Sequence, residues 1–138
     1  MIYVTYNDIC EHSEHSDEMY GDWYESRSFS VTGVSSFKPL REHERFGIEM
    51  DSGSTAHVVT MHYSTGDSFG RSDGRGEVLW VFDNIDDAVA ARKALEEQRE
   101  KFSVEFKDGS GKVIKMSNPG AGYFESVNDI SVETFTVT

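Results

Sequence analysis

Short runs in which apolar and polar residues alternate dominate the chain, and a period of two predicts β-strands. Two tetrapeptides rich in Gly, Ser and Asp, at residues 51–54 and 108–111, separate such runs and indicate tight turns. The runs at 46–50, 56–64 and 77–82 are expected to form a meander of neighbouring strands. The predicted strands cover residues 1–6, 23–37, 46–50, 56–64, 77–82, 102–107, 112–116 and 123–138.

The period changes to a helical one after residue 84, where apolar residues recur at steps of three and four. Asn84 is a suitable N-cap, and Asp86 and Asp87 in the first turn suit the positive end of the helix dipole. These features predict one main helix over about 84–101. The order of elements predicts a single α+β domain, 1–138, with the helix on one face of a mostly antiparallel sheet of five to seven strands.

A segment rich in Gly, Ser and Asp, residues 66–76, joins the predicted strands 56–63 and 77–82. Its composition predicts the flexible tip of a long hairpin. Arginine side chains and glycine amides at a loop tip can hold an anion such as phosphate, although a simple turn is the alternative. The candidate ligand-binding residues of this loop are Asp67, Ser68, Arg71, Asp73 and Arg75.

Acidic residues are concentrated at one end of the chain. The whole sequence has 25 acids against 13 Lys and Arg, a net charge of −12, which predicts a soluble protein that bare nucleic acid repels. Residues 1–26 contain seven acids and no Lys or Arg. The acidic segment, about 7–26, is either a solvated surface or a site that attracts a basic partner. Its candidate partner-binding residues are Glu11, Glu14, Asp17, Glu18 and Asp22.

The chemistry of the remaining motifs is limited. Cys10, His12 and His15 are suitable metal ligands, but their spacing matches no standard site, so we expect neither a metal nor a cofactor. No nucleophile elbow, phosphate-binding loop or zinc-protease motif occurs, which predicts a protein that is not an enzyme. The single cysteine is typical of the cytoplasm, and we expect neither a signal peptide nor a membrane span.

One stretch resembles a known group of proteins. The sequence Tyr-Ser-Thr-Gly-Asp-Ser-Phe-Gly at 63–70 is followed by the aliphatic run 76–82 and by a helix that opens with Asp86-Asp87-Ala88. This arrangement is similar to a segment of small accessory proteins of tailed bacteriophages, and the similarity covers 58–97. The resemblance implies a virus-encoded accessory protein in the host cytoplasm, and it implies no catalytic residues.

The function expected first is therefore that of a non-enzymatic phage protein that binds a host or anti-phage defence protein with a basic surface and inhibits or redirects it. Mimicry of DNA is a variant of this hypothesis. The alternative is a small-molecule binder that sequesters a nucleotide signal through Arg71 and Arg75, with Tyr63 and Trp80 as base contacts. We expect no direct contact with nucleic acid or membrane, and either a monomer or a homodimer.

Overall fold

The computed structural model describes residues 1–16, 21–67, 69–122 and 125–138 and confirms the α+β class. A single α-helix, α1, lies between the fifth and sixth strands, and a short 3₁₀ turn, Pro119–Ala121, precedes the last strand. The described strands and helix, in chain order, are β1 (Ile2–Ser16), β2 (Gly21–Ser35), β3 (His43–Phe46), β4 (Thr55–Gly66), β5 (Gly70–Phe82), α1 (Ile85–Glu97), β6 (Ser103–Lys107), β7 (Val113–Ser117) and β8 (Glu125–Thr136).

Six strands form one sheet in the order β3-β1-β2-β5-β4-β8, and β6 and β7 form a separate hairpin. Every neighbouring pair in the large sheet is antiparallel except β2 and β5, which run parallel. The expected meander is wrong in one respect: β3 pairs with β1, where Phe46 lies opposite Ile2, and not with β4. An alternating pattern fixes which face of a strand is buried but leaves the choice of a distant neighbour open.

The β4–β5 hairpin is confirmed, but its tip is much shorter than predicted. β5 begins at Gly70, so most of the segment 66–76 is strand and not loop. The sequence was interpreted as a loop because small residues occupy every second position, namely Gly70, Ser72, Gly74 and Gly76. Side chains of β2 lie across these positions, and a Cβ atom at either Gly70 or Gly76 would overlap an aromatic ring. The small residues therefore serve close strand packing.

The large sheet curls so far that the end of the chain, after β8, forms hydrogen bonds with the end of β2. The Thr138 amide donates to the Val34 carbonyl at 3.0 Å, and the Ser36 amide donates to the Thr138 carbonyl at 2.9 Å. A bulge bends β2 near Gly33: Thr5 pairs with Gly33 and Tyr6 pairs with Val31. The core on this curled side consists of Ile2, Val4, Phe29, Val31, Val34, Met50, Ala56, Val58, Val78, Val81 and Val137.

Helix α1 packs on the other side of the sheet, as expected. The Asn84 side chain caps it by accepting a hydrogen bond from the Asp86 amide at 2.8 Å. The helix is shorter than the predicted 84–101, because Gln98 ends it and bonds through its side chain to the carbonyl of Glu105. In the described part of the chain no helix is long and apolar enough to cross a membrane. The second core consists of Val59, Met61, Leu79, Phe82, Ala88, Ala91, Ala94, Leu95, Val104, Ile114 and Met116.

Candidate partner-binding surface

The acidic segment forms most of the β1–β2 hairpin. The predicted strand 1–6 continues to Ser16, and the register runs without interruption from Tyr6 opposite Val31 to Ser16 opposite Gly21. The distal half of β2 is held by β5 over four residue pairs, from Trp23 opposite Gly70 to Ser26 opposite Asp73. The acidic residues at 7–16 and 21–26 therefore lie on strands that the sheet anchors.

Three of the five predicted partner-binding residues, Glu11, Glu14 and Asp22, lie on the two strands of this hairpin. Glu11 is exposed on β1, opposite Ser26. Glu14 lies on β1 and Asp22 on β2, but their side chains are outside the described structure. Asp17 and Glu18 lie outside the described residues altogether. The structure thus places three of the five backbones on one hairpin.

Arg27, which the sequence analysis did not single out, is neutralised within the same hairpin. Its Nη1 lies 3.1 Å from Asp8 Oδ2, and its Nε lies 3.6 Å from Glu25 Oε2. Partial burial acts to lower the pKa of Arg27, but the charges of Asp8, Cys10 and Glu25 outweigh it and raise the pKa. Arg27 is the only Lys or Arg among residues 1–35, so no other basic side chain of these two types within the segment offsets the remaining acids.

Glu25 joins a hydroxyl and an imidazole, but the order of the three groups is wrong for a catalytic triad. Ser72 Oγ donates to Glu25 Oε2 at 3.1 Å, and His12 Nδ1 lies 3.7 Å from Glu25 Oε1. In a triad the imidazole lies between the nucleophile and the carboxylate, whereas here the carboxylate lies between the other two. Ser72 is also fully buried, so no substrate reaches its hydroxyl. This arrangement holds β5 against β2.

Most of the predicted ligand-binding loop is strand, and its described charged side chains have partners within the protein. Arg71 Nε lies 2.8 Å from Asp73 Oδ1. Arg75 lies over the Tyr63 ring, with its Cζ atom 5.9 Å from the ring centroid. Asp67 accepts hydrogen bonds from the amides of Phe69 and Gly70 and so closes the turn. Ser68 lies outside the described residues.

Asp73 is the centre of a small polar cluster on this face. The hydrogen bond from Arg71 lowers the pKa of Asp73, partial burial opposes it, and hydrogen bonds from Ser64 and Tyr24 add to the lowering. Ser64 is buried and also accepts a bond from Asn128 at 2.9 Å. Because each group already has a partner from the protein, the cluster ties β2, β4, β5 and β8 together.

Two of the three predicted metal candidates have described side chains. Cys10 and His12 lie on β1, two residues apart on the same face, while the side chain of His15 is outside the described structure. Among the residues whose positions are described, no three His, Cys, Asp or Glu side chains come together as metal ligands would. Cys10 is exposed and not part of a disulfide.

The outer edge of β1 is the least covered part of the hairpin. β3 pairs with Ile2–Thr5, and the Tyr6 amide still donates to the Glu42 carbonyl at 3.3 Å. Beyond Tyr6, no strand of the described structure pairs with this edge. A concavity of about 370 Å³ lies where the chain before β3 departs from β1. Its lining residues are Tyr6, Asn7, Asp8, Ile9, Arg41 and Glu42.

Comparison of the chain with protein-family models, with curated proteins and with solved structures found no match.

Proposed function

We propose that this protein is a non-enzymatic binding protein whose acidic β1–β2 hairpin holds a partner with a basic surface. The observation that carries the proposal is the electrostatics of the hairpin. Its one Lys or Arg residue, Arg27, is paired with Asp8 and Glu25, whereas Glu11 is exposed and lies opposite Ser26. An uncompensated negative surface on a rigid element attracts positively charged proteins and speeds their association.

The biological setting we propose is a bacteriophage accessory protein that acts in the host cytoplasm on a host or anti-phage defence component. The support is the resemblance of residues 58–97 to phage accessory proteins. The partner is inhibited or redirected when its basic surface is covered. If that surface normally binds nucleic acid, the hairpin acts as a DNA mimic, and competition with DNA for the partner distinguishes this variant.

The engaged arginines argue for this proposal over nucleotide sequestration. A phosphate site needs cations that are free to turn towards the ligand, but Arg71 contacts Asp73 and Arg75 stacks on Tyr63. A nucleotide phosphate would have to share the Arg71 guanidinium with the Asp73 carboxylate, which already binds its Nε. A rise in melting temperature with a nucleotide that is lost in Arg71→Ala and in Arg75→Ala would restore the sequestration hypothesis.

The test of the proposal is capture of a partner from bacterial lysate at low and high salt. A binding site made of exposed charges predicts a complex that weakens as salt screens them. It also predicts loss of the complex when Glu11, Glu14, Asp17 and Glu18 are replaced by their amides. A complex that is unchanged by these substitutions would overturn the acidic hairpin as the binding site.

A further inference from the structure

The outer edge of β1, with which no described strand pairs beyond Tyr6, has the geometry of a strand that receives another strand. Residues 7–16 continue a regular strand beyond the last contact with β3, while their other edge is paired with β2 throughout. This open length exceeds the roughly five to six residues of an average strand. Long open edges in native proteins are usually covered, twisted away or used to bind an extended chain.

The direction of the backbone groups follows from the Tyr6 contact. The Tyr6 amide points towards β3, because it donates to Glu42. In an antiparallel strand alternate residues direct their N–H and C=O groups to the same edge. Asp8, Cys10 and Glu14 therefore present backbone donors and acceptors to the open edge.

We propose that this edge binds an extended segment of the partner that carries Lys or Arg, by adding it as a further strand. The inference rests on the proposed function and specifies how the same hairpin holds its partner. Glu11 and Asp8 lie on opposite faces of β1, so a carboxylate stands on each side of the incoming strand, the Asp8 carboxylate also being bound to Arg27. Ile9, 61% exposed, offers an apolar contact on the Glu11 face.

Charge decides against a second copy of this chain as the occupant. Two β1 edges brought together would place Asp8, Glu11 and Glu14 of one copy beside the same acids of the other. Like charges on adjacent strands destabilise the pairing. The concavity beside Asn7 and Arg41 adds the room that the end of an incoming strand needs.

Isothermal titration calorimetry with a model peptide tests strand addition. The probe is a capped peptide of about nine alternating Lys and Val residues, roughly the length of the open edge. Its control has the same side chains but methylated backbone nitrogens at every second residue, which removes the hydrogen-bond donors and keeps the charge. We expect the unmodified peptide to bind at least about tenfold more tightly, since main-chain bonds supply the affinity in this mode.

Cys10 provides a matched pair of variants for the protein side. Cys10→Pro removes one outward-facing N–H and no bond to β2, so the fold tolerates it as proline on an edge strand. Cys10→Ala keeps the N–H. We expect Cys10→Ala to bind the peptide like the wild type and Cys10→Pro to bind at least about tenfold more weakly, with circular dichroism showing that both are folded.

The outcomes separate the two proposals. Equal binding of both peptides, or equal binding by both Cys10 variants, would overturn strand addition but leave capture by charge intact. No binding of the unmodified peptide would also overturn it, and the lysate experiment would then judge the acidic hairpin alone. A dimer in light scattering that Cys10→Pro converts to a monomer would assign the edge to a second copy and overturn the proposal.

Discussion

The ring of Phe29 lies directly against the backbone of Gly76, so that a Cβ atom at residue 76 would overlap the ring. Trp23 lies against Gly70 in the same way, six residues earlier on β2 and on β5. Ser72, between the two glycines, bonds to Glu25. Through these three contacts β2 crosses closely over β5, and the acidic hairpin becomes a fixed part of the sheet.

Gly76→Ala should therefore destabilise the protein. The added methyl group must displace Phe29, which is buried in the core of the curled sheet, and overpacking of this kind costs about 1–3 kcal/mol. Thermal denaturation measures the loss. The matched control is Gly47→Ala, because no atom lies within 4 Å of a Cβ at that position. Equal melting temperatures for the two variants would contradict the packing described for Phe29.

The packing of α1 against the second core predicts that truncation of a buried helix residue lowers stability far more than truncation of an exposed one. Leu95 is 1% exposed, whereas Val89 on the same helix is 43% exposed. Leu95→Ala should lower the free energy of unfolding by about 2–5 kcal/mol, because it leaves a cavity. Val89→Ala should change it by less than about 0.5 kcal/mol. Urea unfolding distinguishes the two, and similar effects would show that α1 packs through another face.

Removal of the Glu77 charge should stabilise the protein. Burial raises the pKa of its carboxyl, Glu44 adds to the rise and Arg75 opposes it. The pKa in the folded protein is above the unfolded value of about 4.3, so stability is lost as the pH rises through the folded pKa. Glu77→Gln should raise the free energy of unfolding at neutral pH and lose this advantage below about pH 4. Lower stability of the variant at neutral pH would contradict this assignment.

For Asp73 we expect the opposite effect, a loss of stability when the carboxylate is neutralised. Its pKa in the folded protein is below the unfolded value, chiefly because of Arg71, so its contribution is present above the unfolded pKa of about 3.9. The contribution is lost as the pH falls through the folded pKa. Asp73→Asn should be less stable than the wild type at neutral pH, with a difference that shrinks in acid. A constant difference across the pH range would mean that the carboxylate charge is not what stabilises the cluster.

The fold class and most elements could be predicted because they depend on local patterns. The helix after Asn84 and the β4–β5 hairpin both follow from periodicity and turn chemistry, and both are present. The distal half of β1 could not be found in this way. At the start of β1, Ile2 and Val4 place apolar side chains on one face. Further along the same face the side chains are polar or exposed, namely those of Asp8, Cys10 and His12. The apolar alternation therefore stops although the strand continues.

The polar clusters escaped prediction for a related reason. The contacts of Arg27 with Asp8 and of Ser72 with Glu25 join residues that are 19 and 47 positions apart in the chain. The available indication was the period-two row of small residues from Gly70 to Gly76, which is typical of a strand crossed by large side chains. Its Gly and Ser content is typical of a loop, and the loop interpretation did not anticipate that Arg71 contacts Asp73 and that Arg75 lies over Tyr63.

The most direct test of the acidic hairpin as a binding site compares two variants that lose the same charge. One replaces Glu11, Glu14, Asp17 and Glu18 with their amides; the other does so at the exposed Glu96, Glu97, Glu100 and Glu133. Each tagged protein is used to capture partners from bacterial lysate at low and high salt, and the bound proteins are identified by mass spectrometry. We predict a salt-sensitive partner that the wild type and the second variant retain and the hairpin variant loses. Retention by the hairpin variant, or equal loss from both, would contradict the proposed function.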